Sequence, residues 1–338
     1  MKFRLFLAMT IFFVVALILV QCASFNKAAD DKAANVAKMA AIFPGVVADS
    51  DYNTMGYLGL LSVKEEMGLE TAYSENVSVS DAEKVIREYI DSGYGIIFTH
   101  GGQFMSTTVE MAKLFPDVSF IGEGDGAVDA PSSNLWIIDR NFQVGFYGIG
   151  ALAALQSKTG KIGYLGGLTL PCSYAEVHAM QQAIDDLGLD VVLTPVWVGS
   201  FNDPDKARKF AVAMIADGND VLVGSLNQGM QGVFAAVKSA DEKVWVTTKY
   251  TDKSSFVPDN YLVSLLYDFA GPLKVIVGNI IGGNTGGYYP LGFETGVSLQ
   301  LTEQVPDDVR ARVDGIVADV ISGKIQVVEN DAPLGGGQ

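Results

Sequence analysis

Short apolar runs alternate with segments of helical period along almost the whole chain, and they do so in two consecutive series. Residues 39–44, 71–77, 95–99, 118–122 and 135–139 read as strands, with helices expected over 57–68, 80–91 and 106–115. Gly95-Ile96-Ile97-Phe98 is continuously apolar, as suits a parallel strand covered on both faces. A Gly/Ala-rich helix is expected over 142–155, and then the pattern restarts. Strands are expected at 161–167, 191–198, 220–224, 243–247 and 261–267, and helices at 173–187, 203–217, 228–240, 272–281 and 306–321. Residues 282–300 are Gly- and aromatic-rich with apolar alternation and read as β structure. Strand–helix alternation of this kind specifies an α/β fold with parallel sheets. Two such arrays, joined near 143–150, imply two doubly wound lobes with a hinge and an interlobe cleft lined by strand C-terminal ends, where open α/β sheets bind ligands. There is no fixed repeat of solenoid length.

Local punctuation supports these bounds. Ser80-Asp81-Ala82-Glu83 has the spacing of a capping box, in which hydroxyl and carboxylate satisfy free N–H groups at a helix start. Asp203-Pro204 suits a first helical turn, Gly323 a C-terminal cap, and Gly122-Glu123-Gly124-Asp125-Gly126 reads as a turn.

The N-terminus stands apart. Lys2 and Arg4 precede an apolar run over 5–20, and Cys22 follows. The run is too short for a comfortable membrane span and reads as a secretory signal over 1–21. Leu19-Val20-Gln21-Cys22 resembles a bacterial lipobox, with Gln21 where a small residue is usual, so Cys22 is the expected lipidation site and 22–36 a tether. The protein is then expected in the cell envelope, extracytoplasmic and lipid-anchored through Cys22. Cys172 is left without an intramolecular partner and is expected as a small buried side chain. With 338 residues, 49% of them hydrophobic, the chain has ample material for two domains. Its net charge of −16 disfavours nucleic acid as a partner. The two Cys and two His do not have the spacing of a zinc-type cluster.

Catalytic signatures are missing: the chain has no Gly-x-Ser-x-Gly elbow and no Walker loop. Asp49-x-Asp51-x-Asn53 opens like a calcium loop, but Thr54 stands at its sixth position and Leu60 at its twelfth, so no metal is expected. His100 suits either a hydrogen bond in the cleft or a structural place in the core. Aromatic and amide side chains recur at strand C-termini. Asp51, Tyr52 and Asn53 follow the first strand, and His100, Gln103 and Phe104 the third. Trp197 and Phe201 follow the second strand of the second array, Asn227 and Gln228 its third, and Lys249 and Asp252 its fourth. Rings stack on a planar heterocycle while amides pair with its edge.

Several stretches together resemble the basic membrane protein family of solute-binding lipoproteins, to which the purine nucleoside receptors of spirochaetes belong. Asp49-Ser50-Asp51-Tyr52-Asn53 with Gly59 is similar to the family's D-x-S-F-N…G opening, with Tyr for Phe and Asp for Ser. Phe115-Pro116-Asp117 through Phe120, the Gly/Ala helix, 161–167, Gly199-Ser200-Phe201-Asn202-Asp203-Pro204, 217–221 and Gly323-Lys324-Ile325 resemble further family motifs in the same order. The resemblance implies the type I periplasmic-binding fold with three crossings, placed so that 37–145 and 268–303 form one lobe and 146–267 and 304–330 the other. It implies a monomer that binds a small purine-like base or nucleoside and delivers it to an ABC permease, without enzymatic activity and without a cofactor. Asn53 would pair with a base edge and Phe201 would stack. The family's ribose-holding Asp, in V-D-x-D, is absent or displaced in Val246-Thr247-Thr248-Lys249-Tyr250-Thr251-Asp252. A sensor for a membrane receptor and a nucleoside hydrolase on the same scaffold are the competing readings.

Overall fold

The computed structural model describes residues 38–126 and 132–334, so the leader, Cys22, the tether and the last four residues lie outside it. The first array runs β1 (Lys38–Ile42), α1 (Tyr52–Met67), β2 (Glu70–Ser74), α2 (Val79–Asp91), β3 (Ile96–Thr99), α3 (Met105–Leu114), β4 (Ser119–Gly124) and β5 (Leu135–Asp139). The second runs α4 (Phe142–Gln156), β6 (Lys161–Gly166), α5 (Pro171–Leu187), β7 (Val192–Trp197), α6 (Pro204–Ala216), β8 (Val221–Ser225), α7 (Met230–Lys238), β9 (Trp245–Tyr250) and β10 (Tyr261–Tyr267). Then come α8 (Ala270–Ile281), β11 (Gly287–Pro290), β12 (Val297–Leu301) and α9 (Asp307–Ile321).

Two six-stranded sheets result, ordered β11-β5-β4-β3-β1-β2 and β12-β10-β9-β8-β6-β7. All described pairings are parallel except β12 on β10. The central strands are buried along their length, β3 and β8 entirely so, as helices on both faces require. The expected doubly wound α/β architecture is therefore present in both lobes. Three segments pass between the sheets: Asp139 to Phe142, Tyr267 to Ala270, and Pro290 to Val297.

The sequence-based lobe limits need two adjustments. Residues 297–301 belong to the second sheet, because the alternating Val297, Leu299 and Leu301 let β12 close the β10 edge antiparallel. The whole of α4 also belongs there, packed on α5 and α9, whereas α8 packs back on α1 in the first lobe.

Some element starts also move. The start of α1 is at Tyr52 rather than residue 57, since the Asp49 carboxylate caps it, so Tyr52 and Asn53 lie in its first turn and not in a loop. Its glycines, poor helix formers in isolation, are close-approach points. A Cβ at Gly56 would lie 2.5 Å from the His100 ring, and one at Gly59 would meet Leu273 at 2.6 Å. The cap of α2 is Ser78, whose hydroxyl accepts from Asp81 N, and not Ser80. Val77 and Ala82 share one core cluster across that cap, in the manner of a hydrophobic staple. The segment read as a turn at 122–126 is strand as far as Gly124, hydrogen-bonded between β3 and β5. This register buries Glu123 completely.

Candidate functional site

The C-terminal end of β1 is organised by Asp49. Its carboxylate accepts from the backbone N–H groups of Asp51, Asn53 and Thr54 at 2.8, 3.1 and 3.0 Å, from Asn53 Nδ2 at 2.7 Å and from Thr54 Oγ1 at 3.0 Å. This fixes the Asn53 amide and leaves its Oδ1 buried without a partner.

Tyr52 leaves the same turn toward the first sheet. Its ring stacks on His100, with centroids 4.0 Å apart, and its hydroxyl donates to Glu123. His100 is fully buried; Nε2 donates to the Tyr52 carbonyl oxygen at 2.8 Å and Nδ1 faces the other Glu123 oxygen. Because Nε2 must donate, one proton lies between Nδ1 and the carboxylate, and the pair is neutral overall whichever group carries it. Burial, with the Glu123 carboxylate beside it, pushes the Tyr52 phenol well above its ordinary range. Beyond Tyr52, Arg140 at the end of β5 grips Asp125 with two bonds of 2.9 and 2.5 Å. The Arg140 guanidinium also lies 4.9 Å over the Phe142 ring.

The second lobe carries a matching buried network. Lys249 donates to Glu176 at 2.9 Å, and Tyr164 donates to the other oxygen of Glu176 at 2.6 Å. The Lys249 ammonium stands 4.7–5.7 Å from the rings of Phe142, Phe146 and Tyr250, so Phe142 is flanked by two cations. Lys253 crosses to the first lobe and pairs with Asp51 at 2.5 Å.

Between these networks lies a cavity of about 510 Å³. Gln103, Gly124, Asp125 and Gly126 wall it from the first lobe, Arg140, Phe142 and Gln143 from the first crossing, and Leu170, Pro171, Cys172 and Ala175 from the start of α5. Glu329 and Asp331 of the C-terminal segment close its rim. Burial pushes the Cys172 thiol up to about 11 against the opposing pull of Arg140. Cys172, expected as a buried side chain, is half-buried: it packs against the main core cluster and lines the cavity wall. Burial and the neighbouring carboxylates of Asp139, Asp125 and Asp331 raise Glu329 above its usual value.

The expected site residues divide. Gln103 lines this cavity. Tyr52 and His100 stand behind its Arg140–Asp125 wall. Phe104, one residue beyond Gln103, is fully buried in the core under α2 and α3 and does not line the cavity. Lys249 is consumed by Glu176, and Asp51 by Lys253. Asp252 accepts from Ser254 N and Ser264 Oγ, bonds that hold its carboxyl below the usual range, and it lines a separate groove on the hinge side. Trp197 packs edge-on against Tyr164 and Tyr174, Phe201 lies over Gly167, and Asn227 and Gln228 lead into α7; none of these four lines the cavity. Glu123, Asp125, Arg140, Phe142 and Gln143 escaped the sequence reading. Asp125 and Arg140 follow β4 and β5 directly, so the strand-end rule applied to every strand would have found them.

The profile of the family described as ABC transporter substrate-binding protein PnrA-like matches residues 36–331. The chain belongs to this family. A basic membrane protein A2 of Borrelia garinii is 25% identical over 304 residues, which cover 87% of this chain and 89% of that protein. A purine-binding protein of Brucella abortus is 28% identical over 261 residues, covering 76% and 72%. A solute-binding protein of an ABC transporter system from Aeropyrum pernix superposes with a TM-score of 0.74 at 21% identity, covering 86% of this chain and 93% of that one. That likeness carries the fold, the type I periplasmic-binding architecture of two parallel-sheet lobes. The family is one of binding proteins. Among the described residues no helix is long and apolar enough to cross a membrane.

Proposed function

We propose that this chain is the extracytoplasmic, lipid-anchored binding protein of an ABC importer and that it captures a purine-like heterocycle in the interlobe cavity. The observation that carries this reading is the cavity itself, set at strand C-termini between two lobes. Its wall combines apolar surface from Phe142, Met105 and Leu170 with the edge-pairing amides of Gln103 and Gln143, beside the Arg140–Asp125 pair. A flat ring with donors and acceptors on its rim fits that mixture. The purine-binding name of the Brucella relative points the same way. Walls drawn from both lobes mean that a bound ligand bridges them, so its affinity for the closed form shifts the population toward closure.

Lys249 stands in the stretch where the family keeps its ribose-holding Asp, and it is locked onto Glu176. This favours a free base over its nucleoside. Isothermal titration of the full chain with adenine, guanine, hypoxanthine and their nucleosides tests the reading. The expected result is saturable binding of at least one base, no weaker than its nucleoside; heat from none of them would refute the ligand class. The same incubations, analysed for base released from nucleoside, separate binding from hydrolysis, and release is not expected. Cys22→Ala should move the protein from the membrane to the soluble fraction.

A further inference from the structure

The bridge between Asp51 and Lys253 joins the two lobes through groups that are almost wholly out of water. Asp51 precedes α1 in the first lobe and is 2% exposed; Lys253 follows β9 in the second and is 6% exposed. The ammonium spends all three protons internally, on Asp51 at 2.5 Å, on Thr251 Oγ1 at 2.9 Å and on Lys249 O at 3.0 Å. Thr251 Oγ1 in turn donates to Ser50 O at 2.8 Å, a second bond across the lobes. Backbone strain flanks the bridge on both sides. Ser50 has φ +61° and Tyr250 φ +74°, two of four non-glycine residues with positive φ among the described residues. The Asp51 carboxylate has no capping role, since no side-chain bond closes the α1 N-terminus from it.

We propose that this bridge is a latch working against closure: shutting the lobes strips water from two charges whose mutual attraction does not replace it, so the unliganded chain rests open and bound ligand supplies the difference. A buried ion pair loses solvation that good geometry only partly restores, and apolar replacements of similar shape often stabilise the buried state. Burial disfavours the charged form of both partners. Burial is the largest influence on each, lifting Asp51 to about 6 in spite of Lys253 and lowering Lys253 in spite of Asp51. The groups facing Asp51 are Asp49 on its own turn and Lys249 and Lys253 from the second lobe, with Tyr52 and Tyr250 beside them. Asp51 therefore holds its proton more tightly in the closed form than at the ordinary carboxylate value of 3.8 expected once it is solvated. Acid favours closure, over the window from about 6 down to 3.8.

The device rests on lobe closure and not on the ligand's identity, so its test needs no ligand. Amide hydrogen exchange of the full chain would follow residues 44–57 and 247–258. The apolar pair D51L/K253M leaves Lys249 O still accepting from Thr251 N and Thr251 Oγ1 still donating to Ser50 O. Its protection in these segments should rise by about ten-fold or more over the parent. Asp51→Leu alone, which strands the buried ammonium, should lower it. Unchanged or reduced protection in the folded double variant would overturn the latch. The parent chain gives an independent reading if that variant does not fold. After correction for intrinsic exchange its protection should be higher at pH 5 than at pH 8, and no rise would overturn the proposal. A rise that persists in D51L/K253M would do so too, because both groups of the bridge are gone there.

Discussion

Replacing Glu123 separates two accounts of the buried centre of the first lobe. Glu123 accepts from the Tyr52 hydroxyl with one oxygen and meets His100 Nδ1 with the other, and both Glu123 and His100 are fully buried. Glu123→Ala leaves a phenol and a ring nitrogen without partners. Among the described residues the only other hydrogen-bond partner of the phenol is Arg140 at 3.4 Å, which donates and cannot take the phenol's proton. Each orphaned group costs about 1–3 kcal/mol, so a loss of roughly 3–5 kcal/mol is expected. Glu123→Gln is different. Its carbonyl can accept from Tyr52 and its amide can donate to Nδ1 of a neutral ring, while Nε2 keeps donating to the Tyr52 carbonyl oxygen. Nothing is orphaned and no charge is buried, so the cost should be about 1 kcal/mol or less. Urea unfolding at pH 7 measures both, read as a midpoint shift at constant slope. A Gln variant as unstable as the Ala variant would refute a neutral imidazole facing a protonated Glu123 and place the shared proton on His100, as an imidazolium–carboxylate pair whose charges the lobe depends on. Imidazole ¹⁵N shifts give a second readout, since the Gln variant should show the Nε2–H tautomer.

Further expectations concern packing, capping and the cavity thiol. A Cβ at Gly232 of α7 would lie 1.9 Å from Pro204 O and 2.8 Å from Arg208 N, both backbone atoms of α6 or its start. Gly232→Ala should therefore cost about 3 kcal/mol or more. Gly278→Ala in α8, with nothing within 4 Å, should stabilise by about 0.5–1 kcal/mol in the same urea unfolding. Asp49→Ala removes the acceptor for three backbone N–H groups and the Asn53 amide, and should cost about 2 kcal/mol by denaturation. Cys172 is held up to about 11 against an ordinary 9.0, so its contribution to stability is present below pH 9 and fades as pH rises toward 11. Iodoacetamide at pH 8 should modify the folded chain much more slowly than the urea-unfolded chain.

What was legible in the sequence follows the range of the interactions involved. β5 and β10 have the bounds their apolar runs suggest, because a buried parallel strand is specified by its own composition. The beginning of α1 was not legible. Its cap lies outside the helix at Asp49, and Gly56 and Gly59 lower its local propensity while tertiary contacts with His100 and Leu273 require them. The strand-end rule led to the C-terminal rim of each sheet, but a rim residue faces the cavity or the core according to one step of backbone. Gln103 and Phe104 are adjacent in a single 3-10 turn; one lines the cavity and the other is sealed beneath two helices.

The charges were the least legible part of the site, because their partners lie far off in sequence. Lys249 and Lys253 sit four residues apart at the end of β9, and from sequence either could have met a ligand. The register of β9 turns Lys249 inward onto Glu176 of its own lobe, and the segment after it carries Lys253 across to Asp51, which stands where the resembled motif has Ser. Arg140 is likewise tied to Asp125, so the three most buried cations around the cleft each hold a carboxylate of the chain. A ligand entering this cleft meets ion pairs already made. In the proposed binding it gains by filling the cavity and pairing with amide and backbone edges, while the proposed latch, the one ion pair among the described residues that spans the lobes, sets how much of that gain closure consumes.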